Sequence, residues 1–251
     1  MSFLSELDYQ EVYRMKADLV YEGKAKKVYQ AEGRPGELVL SYKNDATAFN
    51  GKKKESFEGK GELNNSISTL IFQKLHKSGM ETHFIEKLND TEQLVIQTEI
   101  IPLEVVVRNI ASGSIAKRLG IEEKTIFEKP IIEFYYKDDA LGDPLINDEH
   151  ALYVTTITEA EISEVKQKAL QINHQLLELF QSIGITLVDF KLEFGRKACG
   201  DIVLADEISP DTCRLWDRAT GEKLDKDVFR QGNGDLIEVY NEILQRLEAK
   251  A

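Results

Sequence analysis

The sequence predicts a mixed helix-and-strand protein whose first part is built from antiparallel strands. Short apolar stretches with the two-residue period of half-buried strands occur over 19–40 and 84–107. Apolar residues recur at helical spacing over 63–77, 158–182 and 236–247. Strands therefore dominate the beginning of the chain, and the longest helices come later.

A boundary between two domains is expected near residue 100. Pro102 falls inside a strand-like stretch, and proline removes a backbone donor that a central strand needs. The 251 residues are enough for one large domain or two modest ones. We therefore predict a smaller first domain, 1–100, and a larger second domain, 101–251.

The composition excludes several classes of protein. The formal net charge of −12 argues against a general nucleic-acid binder or an anionic-membrane binder, because both depend on basic surface. Neither a membrane span nor a signal peptide is visible. The 2 cysteines and 4 histidines are scattered, so no zinc site is indicated. We expect a cytoplasmic protein with reduced thiols.

The first candidate binding segment is the turn inside LVYEGKAKKVYQ, residues 19–30. Two apolar runs flank Gly23 to Lys27, and lysines on a turn of small residues can fold over phosphate groups. The turn matches neither GxxxxGK[ST] nor GxGxxG. Without other evidence, a basic hairpin turn in solvent is the more common structure.

A polar segment follows over 41–61, and we predict a mobile, solvated loop there. Its four lysines, at positions 52, 53, 54 and 60, would attract an anionic ligand. For the next helix we expect a cap from Asn64 or Asn65 and an end at Gly79.

A strand, a turn of small residues and a short helix are predicted over 103–120. The strand ends at Arg108, and Ser114 opens the helix. Free N–H groups at a helix start bind phosphate, and the guanidinium of Arg108 adds a fork-shaped donor. The alternative is that Ser114 merely caps its helix, and this segment alone supports both equally.

The strongest chemical signal lies in the stretch 184–216. Apolar residues at positions 188, 190, 192 and 194 face one side of a predicted strand, and Asp189, Lys191 and Glu193 face the other. After a hairpin loop, a second apolar run ends at Asp206. Charged strand faces are usually solvated, but carboxylates and a lysine on paired strands can also hold a divalent cation and a polyphosphate. We predict that this hairpin is the floor of an active site.

Five segments together resemble a known family. They are EGKAKKVY, VVRNIASGSIAKRLG, LVDFKLEFG, DEISPDTCRLWD and DKDVFRQG, and their order and spacing closely resemble those of SAICAR synthetase. The resemblance begins near Leu19 and covers nearly all of the remaining chain. It implies an α+β fold with two lobes. The small antiparallel N-terminal lobe would cover the nucleotide, as in kinases and ATP-grasp proteins, and the larger C-terminal lobe would carry the other substrates.

The resemblance also implies an activity. SAICAR synthetases are ligases of purine biosynthesis that join L-aspartate to the carboxylate of carboxyaminoimidazole ribotide (CAIR) and convert ATP to ADP and phosphate. The expected cofactors are ATP and Mg²⁺, and an acyl phosphate is the expected intermediate. The expected partners are these small molecules, with no nucleic acid and no membrane, and a homodimer is left open.

Three groups of residues are implied to bind the nucleotide. The lysine-bearing turn would cover the phosphates and touch the base through Lys24, Ala25, Lys26 and Val28. The link between the lobes would contact adenine at Glu99 and Ile101. The hairpin would supply the catalytic residues Lys191, Glu193 and Asp206, of which Glu193 and Asp206 would also bind the metal.

The remaining substrates are assigned in the same way. The phosphate of CAIR would be held by Arg108, Ser114 and Arg214, with Asp211 next to them. The carboxylates of aspartate would contact Lys226 and Arg230. Asn50 departs from the family pattern, because many relatives have an aspartate there, near the metal. We therefore do not assign Asn50 to the metal.

Two other functions fit part of the pattern. A small-molecule kinase would also need the carboxylate hairpin and the phosphate turn. A nucleotide-sensing module would bind ATP without turnover, but it would not need to retain both Glu193 and Asp206. The dependence of phosphate release on aspartate distinguishes the ligase from both.

Overall fold

The computed structural model describes residues 15–48, 53–232 and 234–250. The strands are β1 (Lys16–Glu22), β2 (Lys26–Ala31), β3 (Glu37–Tyr42), β4 (Asp45–Ala48), β5 (Lys53–Ser56), β6 (Phe84–Lys87), β7 (Glu92–Ile96), β8 (Glu99–Ile110), β9 (Ile126–Tyr136), β10 (Leu145–Ile146), β11 (Ile185–Arg196), β12 (Ile202–Leu204) and β13 (Cys213–Asp217). The helices are α1 (Lys60–Lys77), α2 (Ser114–Leu119), α3 (Asp148–Val154), α4 (Glu159–Ser182), α5 (Asp227–Gln231) and α6 (Leu236–Glu248).

The strands form two antiparallel sheets and one separate hairpin. The first sheet has the order β1-β2-β3-β7-β6, and its first three strands are the meander predicted over 19–40. The second sheet has the order β10-β9-β8-β11-β12, and β13 also pairs with β11. The separate hairpin joins β4 to β5.

The chain passes from the first sheet to the second near the predicted boundary at residue 100. The prediction that Pro102 breaks the strand is wrong. β8 runs through Pro102 without interruption. Its pairing with β11 is irregular between Glu193 and Gly195, opposite this proline, so no regular ladder bond is lost there. Helix α1 packs against α6 and contributes to the main hydrophobic core. The division into domains 1–100 and 101–251 therefore stays a prediction.

The loop predicted over 41–61 is only partly a loop. Its described residues include the β4–β5 hairpin, and Lys60 is fully buried at the start of α1. The helix is capped by Gly59, with φ of 82°, and not by an asparagine side chain. Asn64 and Asn65 instead donate to groups outside the helix. Lys52 lies outside the described residues.

Helix α4 covers one face of the second sheet. The helix begins at the predicted position. Thr158 and Glu161 form a capping box, in which each side chain accepts from the backbone N–H of the other residue. Its apolar residues belong to the same hydrophobic cluster as Phe190, Leu192 and Phe194 of β11. Because α4 occupies that face, the charged residues of β11 lie on the opposite face. The predicted alternation is confirmed from Asp189 to Phe194, but not at Val188, where the pairing with β13 is irregular and Leu187 belongs to the cluster instead.

None of the helices in the described ranges is long and apolar enough to cross a membrane. Cys199 is exposed, Cys213 is buried, and both are free thiols. Burial raises the pKa of Cys213 far above its ordinary value, so this thiol is not reactive.

Candidate active site

A cavity of about 490 Å³ lies between the two sheets. Apolar residues of β2, β3 and β7 line one side, and charged residues of β11 and the segment after β12 line the other. The predicted phosphate turn and the predicted carboxylate hairpin both face it. The fold therefore brings together two segments that lie far apart in the sequence.

The lysine-bearing turn forms the entrance on the side of the first sheet. The N–H of Gly23 donates to the carbonyl of Lys26 at 2.8 Å, which closes the turn between β1 and β2. Lys24, Ala25, Lys26 and Val28 all line the cavity. The Nζ of Lys24 lies 2.7 Å from a carboxylate oxygen of Asp139, in the loop after β9. This exposed ion pair crosses the cavity mouth.

The floor is a network of lysines and carboxylates centred on Lys191. Its Nζ lies 2.6 Å from Glu193 Oε1, 3.4 Å from Asp206 Oδ2 and 3.3 Å from Glu104 Oε1. One ammonium group therefore bridges both carboxylates that the sequence assigned to the metal. Lys26 forms ion pairs with Asp206 and Glu207 from the opposite side.

The charges of this network keep Asp206 ionised. Burial by itself would raise the pKa of Asp206, but Lys26 and Lys191 outweigh it and hold the pKa well below the ordinary value. Burial would lower the pKa of Lys191, but Glu193 and Asp206 raise it well above the ordinary value. At neutral pH Lys191 and Asp206 are thus a pair of fixed opposite charges. The described residues contain no group of three or more His, Cys, Asp or Glu that could hold a metal by themselves.

A row of charged side chains continues along the same sheet, beside the cavity. Asp189 of β11 lies between Arg108 of β8 and Arg214 of β13 in the strand register. Its Oδ2 accepts from Arg108 Nη1 at 2.9 Å and from Arg214 Nη1 at 2.5 Å. Arg108 also donates to Ser114 Oγ at 3.1 Å and to Glu133 Oε2 at 2.6 Å. The structure therefore brings the three predicted phosphate-binding residues, Arg108, Ser114 and Arg214, together.

A third cluster surrounds Asp211, which lines the cavity. Tyr240 donates to its Oδ1 at 2.6 Å, Asn64 donates to its Oδ2 at 3.1 Å, and the fully buried Lys60 also pairs with it. Lys226 lines the cavity with its Nζ 3.8 Å from Asp211 Oδ1. Burial lowers the pKa of Lys226, and Asp211 opposes this shift.

Replacing Lys60 with methionine should lower the free energy of unfolding by about 2–4 kcal/mol, because it leaves a buried carboxylate without its buried cation. Asn64, Tyr240 and Lys226 remain near Asp211 and limit the loss. Urea denaturation measures the change. The matched control is Lys54→Met, whose side chain is 60% exposed and should change stability by less than about 0.5 kcal/mol. Equal effects of the two substitutions would contradict the role given to Lys60.

Six predicted site residues do not line the cavity: Arg108, Ser114 and Arg214 form the row beside it, and three others lie elsewhere. Ile101 is 1% exposed and belongs to the hydrophobic core, and Glu99 points outward within 3.7 Å of Arg196. Ile100, the residue between them, lines the cavity, as strand alternation requires. Arg230 does not line it either and donates to Asp227 at 2.7 Å. Asn50 lies outside the described residues.

Several residues that line the cavity were not predicted from the sequence. Glu104 could have been predicted, because Glu104 and Arg108 are an even number of positions apart in one strand and therefore lie on the same face. Lys137, which pairs with Glu193, and Asp139 follow the end of β9, where no sequence pattern marks them. His83 also lines the cavity, although the scattered histidines gave no signal.

The comparisons with known proteins agree on one family. A model of SAICAR synthetase matches residues 19–247. The phosphoribosylaminoimidazole-succinocarboxamide synthase of Oceanobacillus iheyensis is 69% identical over 234 residues, 93% of this chain and 99% of that protein. The crystal structure of the same enzyme from Ehrlichia chaffeensis has a TM-score of 0.89 and 48% identity, and the match covers 92% of this chain and 99% of that one.

A SAICAR synthetase solved in complex with ADP is also similar. It has a TM-score of 0.88 and 49% identity, and the match covers 90% of this chain and 96% of that one. These two solved structures confirm the α+β fold that the resemblance implied.

Proposed function

Because the chain belongs to the SAICAR synthetase family, we propose that its cavity joins L-aspartate to the carboxylate of CAIR with the conversion of ATP to ADP and phosphate. One observation carries the assignment of this reaction to the cavity. The phosphate turn of the first sheet and the carboxylates of β11 and of the segment after β12 line the cavity, and the arginine row lies beside them on the second sheet. A ligase needs all three, since it binds ATP beside an anionic, phosphorylated acceptor.

The chemistry requires an activated carboxylate. An amine cannot displace oxide from a carboxylate, so an oxygen of CAIR first attacks the γ-phosphorus and ADP leaves. The amine of aspartate then attacks the acyl carbon, and phosphate leaves with the former carboxylate oxygen. The ammonium proton is lost in the process. Every reactant is anionic, so the lysines and arginines of the site lower the cost of bringing the reactants together.

The nucleotide is assigned to the part of the cavity next to the first sheet. Lys24 and Lys26 lie where they can hold the phosphates, and Val28 belongs to an apolar wall that suits the base. The link between the sheets would contact adenine through Ile100 and the backbone of Glu99 and Ile101. Lys191 would position the γ-phosphate. The ADP complex of the related enzyme supports the use of a nucleotide.

The donor set of the floor fits Mg²⁺. Mg²⁺ prefers oxygen ligands and is commonly held by one or two carboxylates together with substrate phosphates and water. Glu193 and Asp206 provide two carboxylates that a single ammonium already bridges. When bound, the ion would neutralise phosphate charge. The lack of a larger ligand cluster in the described residues agrees with a site completed by ATP.

The second sheet provides the acceptor side. Arg108, Ser114 and Arg214 would hold the phosphate of CAIR, and Asp189 orients both guanidinium groups toward it. Asp211 lies next to this position and Lys226 faces the cavity, where it would contact a carboxylate of aspartate. Arg230 lies farther out, on Asp227, and would contact the second carboxylate after a change of rotamer.

One further assignment belongs to this proposal. We place the reaction in the cytoplasm, where the substrates of a biosynthetic ligase and reduced thiols are expected.

The test is ADP formation in mixtures that lack one substrate at a time. We expect steady turnover only when ATP, CAIR and aspartate are all present. Continuous ADP formation with ATP and CAIR alone would indicate a kinase. ATP binding without ADP formation in any mixture would indicate a sensor. Either outcome would overturn the proposed reaction.

A further inference from the structure

Arg108 and Arg214 are each held by two carboxylates, and the pattern is the same for both. Arg108 donates through Nε to Glu133 Oε2 at 2.6 Å and through Nη1 to Asp189 Oδ2 at 2.9 Å. Arg214 donates through Nε to Asp227 Oδ2 at 2.9 Å and through Nη1 to the same oxygen of Asp189 at 2.5 Å. Asp189 therefore bonds to both guanidinium groups, whereas Glu133 and Asp227 each bond to one of the two.

The third nitrogen of each of these arginines, Nη2, lies at one turn of the chain. Nη2 of Arg108 donates to Ser114 Oγ at 3.1 Å. Nη2 of Arg214 lies so close to Gly113 that a Cβ at this position would be 3.0 Å from it. Gly113 has a φ of 63° and directly precedes Ser114 at the start of α2. Because the two Nη2 groups meet at adjacent residues, both can donate to the same phosphate group.

Glu133 and Asp227 are buried carboxylates that do not line the cavity. Their side chains are 9% and 8% exposed. Each uses its second oxygen for another arginine: Oε1 of Glu133 pairs with Arg118, and Oδ1 of Asp227 accepts from Arg230 at 2.7 Å. Burial by itself would raise the pKa of Asp227, but Arg214 and Arg230 outweigh it and lower the pKa to about 2. Asp227 is therefore ionised at physiological pH.

We propose that Glu133 and Asp227 are positioning residues for the phosphate of the acceptor, which fix Nε of the two arginines and so direct both Nη2 groups at the turn of Gly113 and Ser114. The inference rests on the proposed binding of CAIR at the arginine row. A buried ion pair adds little net stability, so its main effect here is on geometry. Donors that are held in place bind more tightly than mobile ones, because the side chains are already ordered before the ligand arrives.

The experiment compares the binding of CAIR and of ADP to the wild type, Glu133→Ala and Asp227→Ala. Calorimetry with one ligand at a time gives each dissociation constant without turnover. We expect each substitution to weaken CAIR binding by about fivefold to twentyfold, because one guanidinium loses its outer restraint. ADP binding should change by less than about twofold, because the nucleotide is assigned to the other side of the cavity. A merely structural role would not distinguish the two ligands.

Further variants control for the loss of a buried carboxylate. Glu133→Gln and Asp227→Asn keep one of the two acceptor oxygens, so they should weaken CAIR binding less than the alanine variants. The matched control is Asp217→Ala. The side chain of Asp217 is 11% exposed and pairs with Arg246, and neither residue lines the cavity. This substitution should leave both dissociation constants unchanged.

A double-mutant cycle tests whether Asp227 acts through Arg214. In an Arg214→Gln background, Asp227→Ala should change the dissociation constant of CAIR by less than about twofold, because the group that it restrains is gone. The alanine variants should fold, since Arg108 and Arg214 both keep their ion pair with Asp189. An undiminished effect of Asp227→Ala in this background would show that Asp227 does not act by positioning Arg214.

The proposal is overturned if either alanine variant binds CAIR as well as the wild type does, or if it weakens CAIR and ADP by the same factor. These outcomes do not affect the proposed function, which depends on ADP formation by the wild type with CAIR and aspartate. A wild type that binds CAIR but forms no ADP would overturn the reaction, and the contrast between CAIR and ADP would still decide the positioning role. A wild type that binds no CAIR would overturn both.

Discussion

Replacing Asp206 with asparagine should lower kcat by about a thousandfold, the largest effect that we expect from a single substitution. The carboxylate lies in the segment after β12, among Lys26, Lys191 and the proposed metal position. Asparagine keeps the shape and one oxygen but removes the charge. Losing one preorganised electrostatic group typically costs about 10²–10³ in rate, and loss of a metal ligand adds to it.

The fold should survive this change because the two lysines have other partners. Lys26 keeps its ion pair with Glu207, and Lys191 keeps Glu193 and Glu104. No buried ammonium is left without a carboxylate, which is the situation that costs several kcal/mol. The thermal midpoint should therefore fall by only a few degrees.

Steady-state kinetics at saturating CAIR and aspartate, over a range of Mg²⁺, measures the effect of Asp206→Asn. The matched control is Asp201→Asn, which makes the same chemical change at an exposed residue of the β11–β12 loop and should keep normal kcat. If Asp206→Asn retained near wild-type kcat at ordinary Mg²⁺, Asp206 would not belong to the metal site.

Replacing Arg108 with lysine should raise KM for CAIR by about tenfold to a hundredfold and change KM for ATP by less than about twofold. The guanidinium bonds simultaneously to Asp189, Glu133 and Ser114, and its planar fork fixes the geometry of the arginine row. An ammonium group can neither hold these partners at once nor grip a phosphate with two parallel bonds. The ATP side of the cavity does not contact Arg108.

Arg246→Lys is the control for this substitution. Arg246 also pairs with a carboxylate, Asp217 at 2.6 Å, but it lies on α6 and does not line the cavity. It should leave both KM values unchanged. Ser114→Ala should act in the same direction as Arg108→Lys, but more weakly, because it removes a single hydroxyl. A rise in KM for ATP without a rise for CAIR would show that the arginine row serves the nucleotide.

The sequence predicted those parts of the site that depend on local pattern. The alternation along β11 placed Lys191 and Glu193 on one face, and the return of the hairpin placed Asp206 beside them. Both predictions use only the two-residue period of a strand and the geometry of a hairpin. The arrangement of Arg108, Asp189 and Arg214 needed more, because it depends on the register of three strands that are distant in sequence.

The errors came from contacts that no local pattern encodes. Lys60 sits in a polar, glycine-rich stretch that looks solvated, but the fold buries it against Asp211, which lies 151 positions later. The break expected at Pro102 did not occur, since an irregularity in the partner strand accommodates a residue without an N–H. The side chain of Ile101 lies in the core because the strand continues through that point.

The most direct test of the central claim is the fate of the CAIR carboxylate oxygens. CAIR labelled with ¹⁸O in the carboxylate is converted in the presence of ATP and aspartate, and the released phosphate is analysed by mass spectrometry. If the site forms an acyl phosphate, one labelled oxygen leaves with phosphorus for every turnover. Labelled phosphate is therefore the predicted result. Phosphate free of label, with the label lost to water, would contradict the mechanism and the roles given to the residues of the cavity.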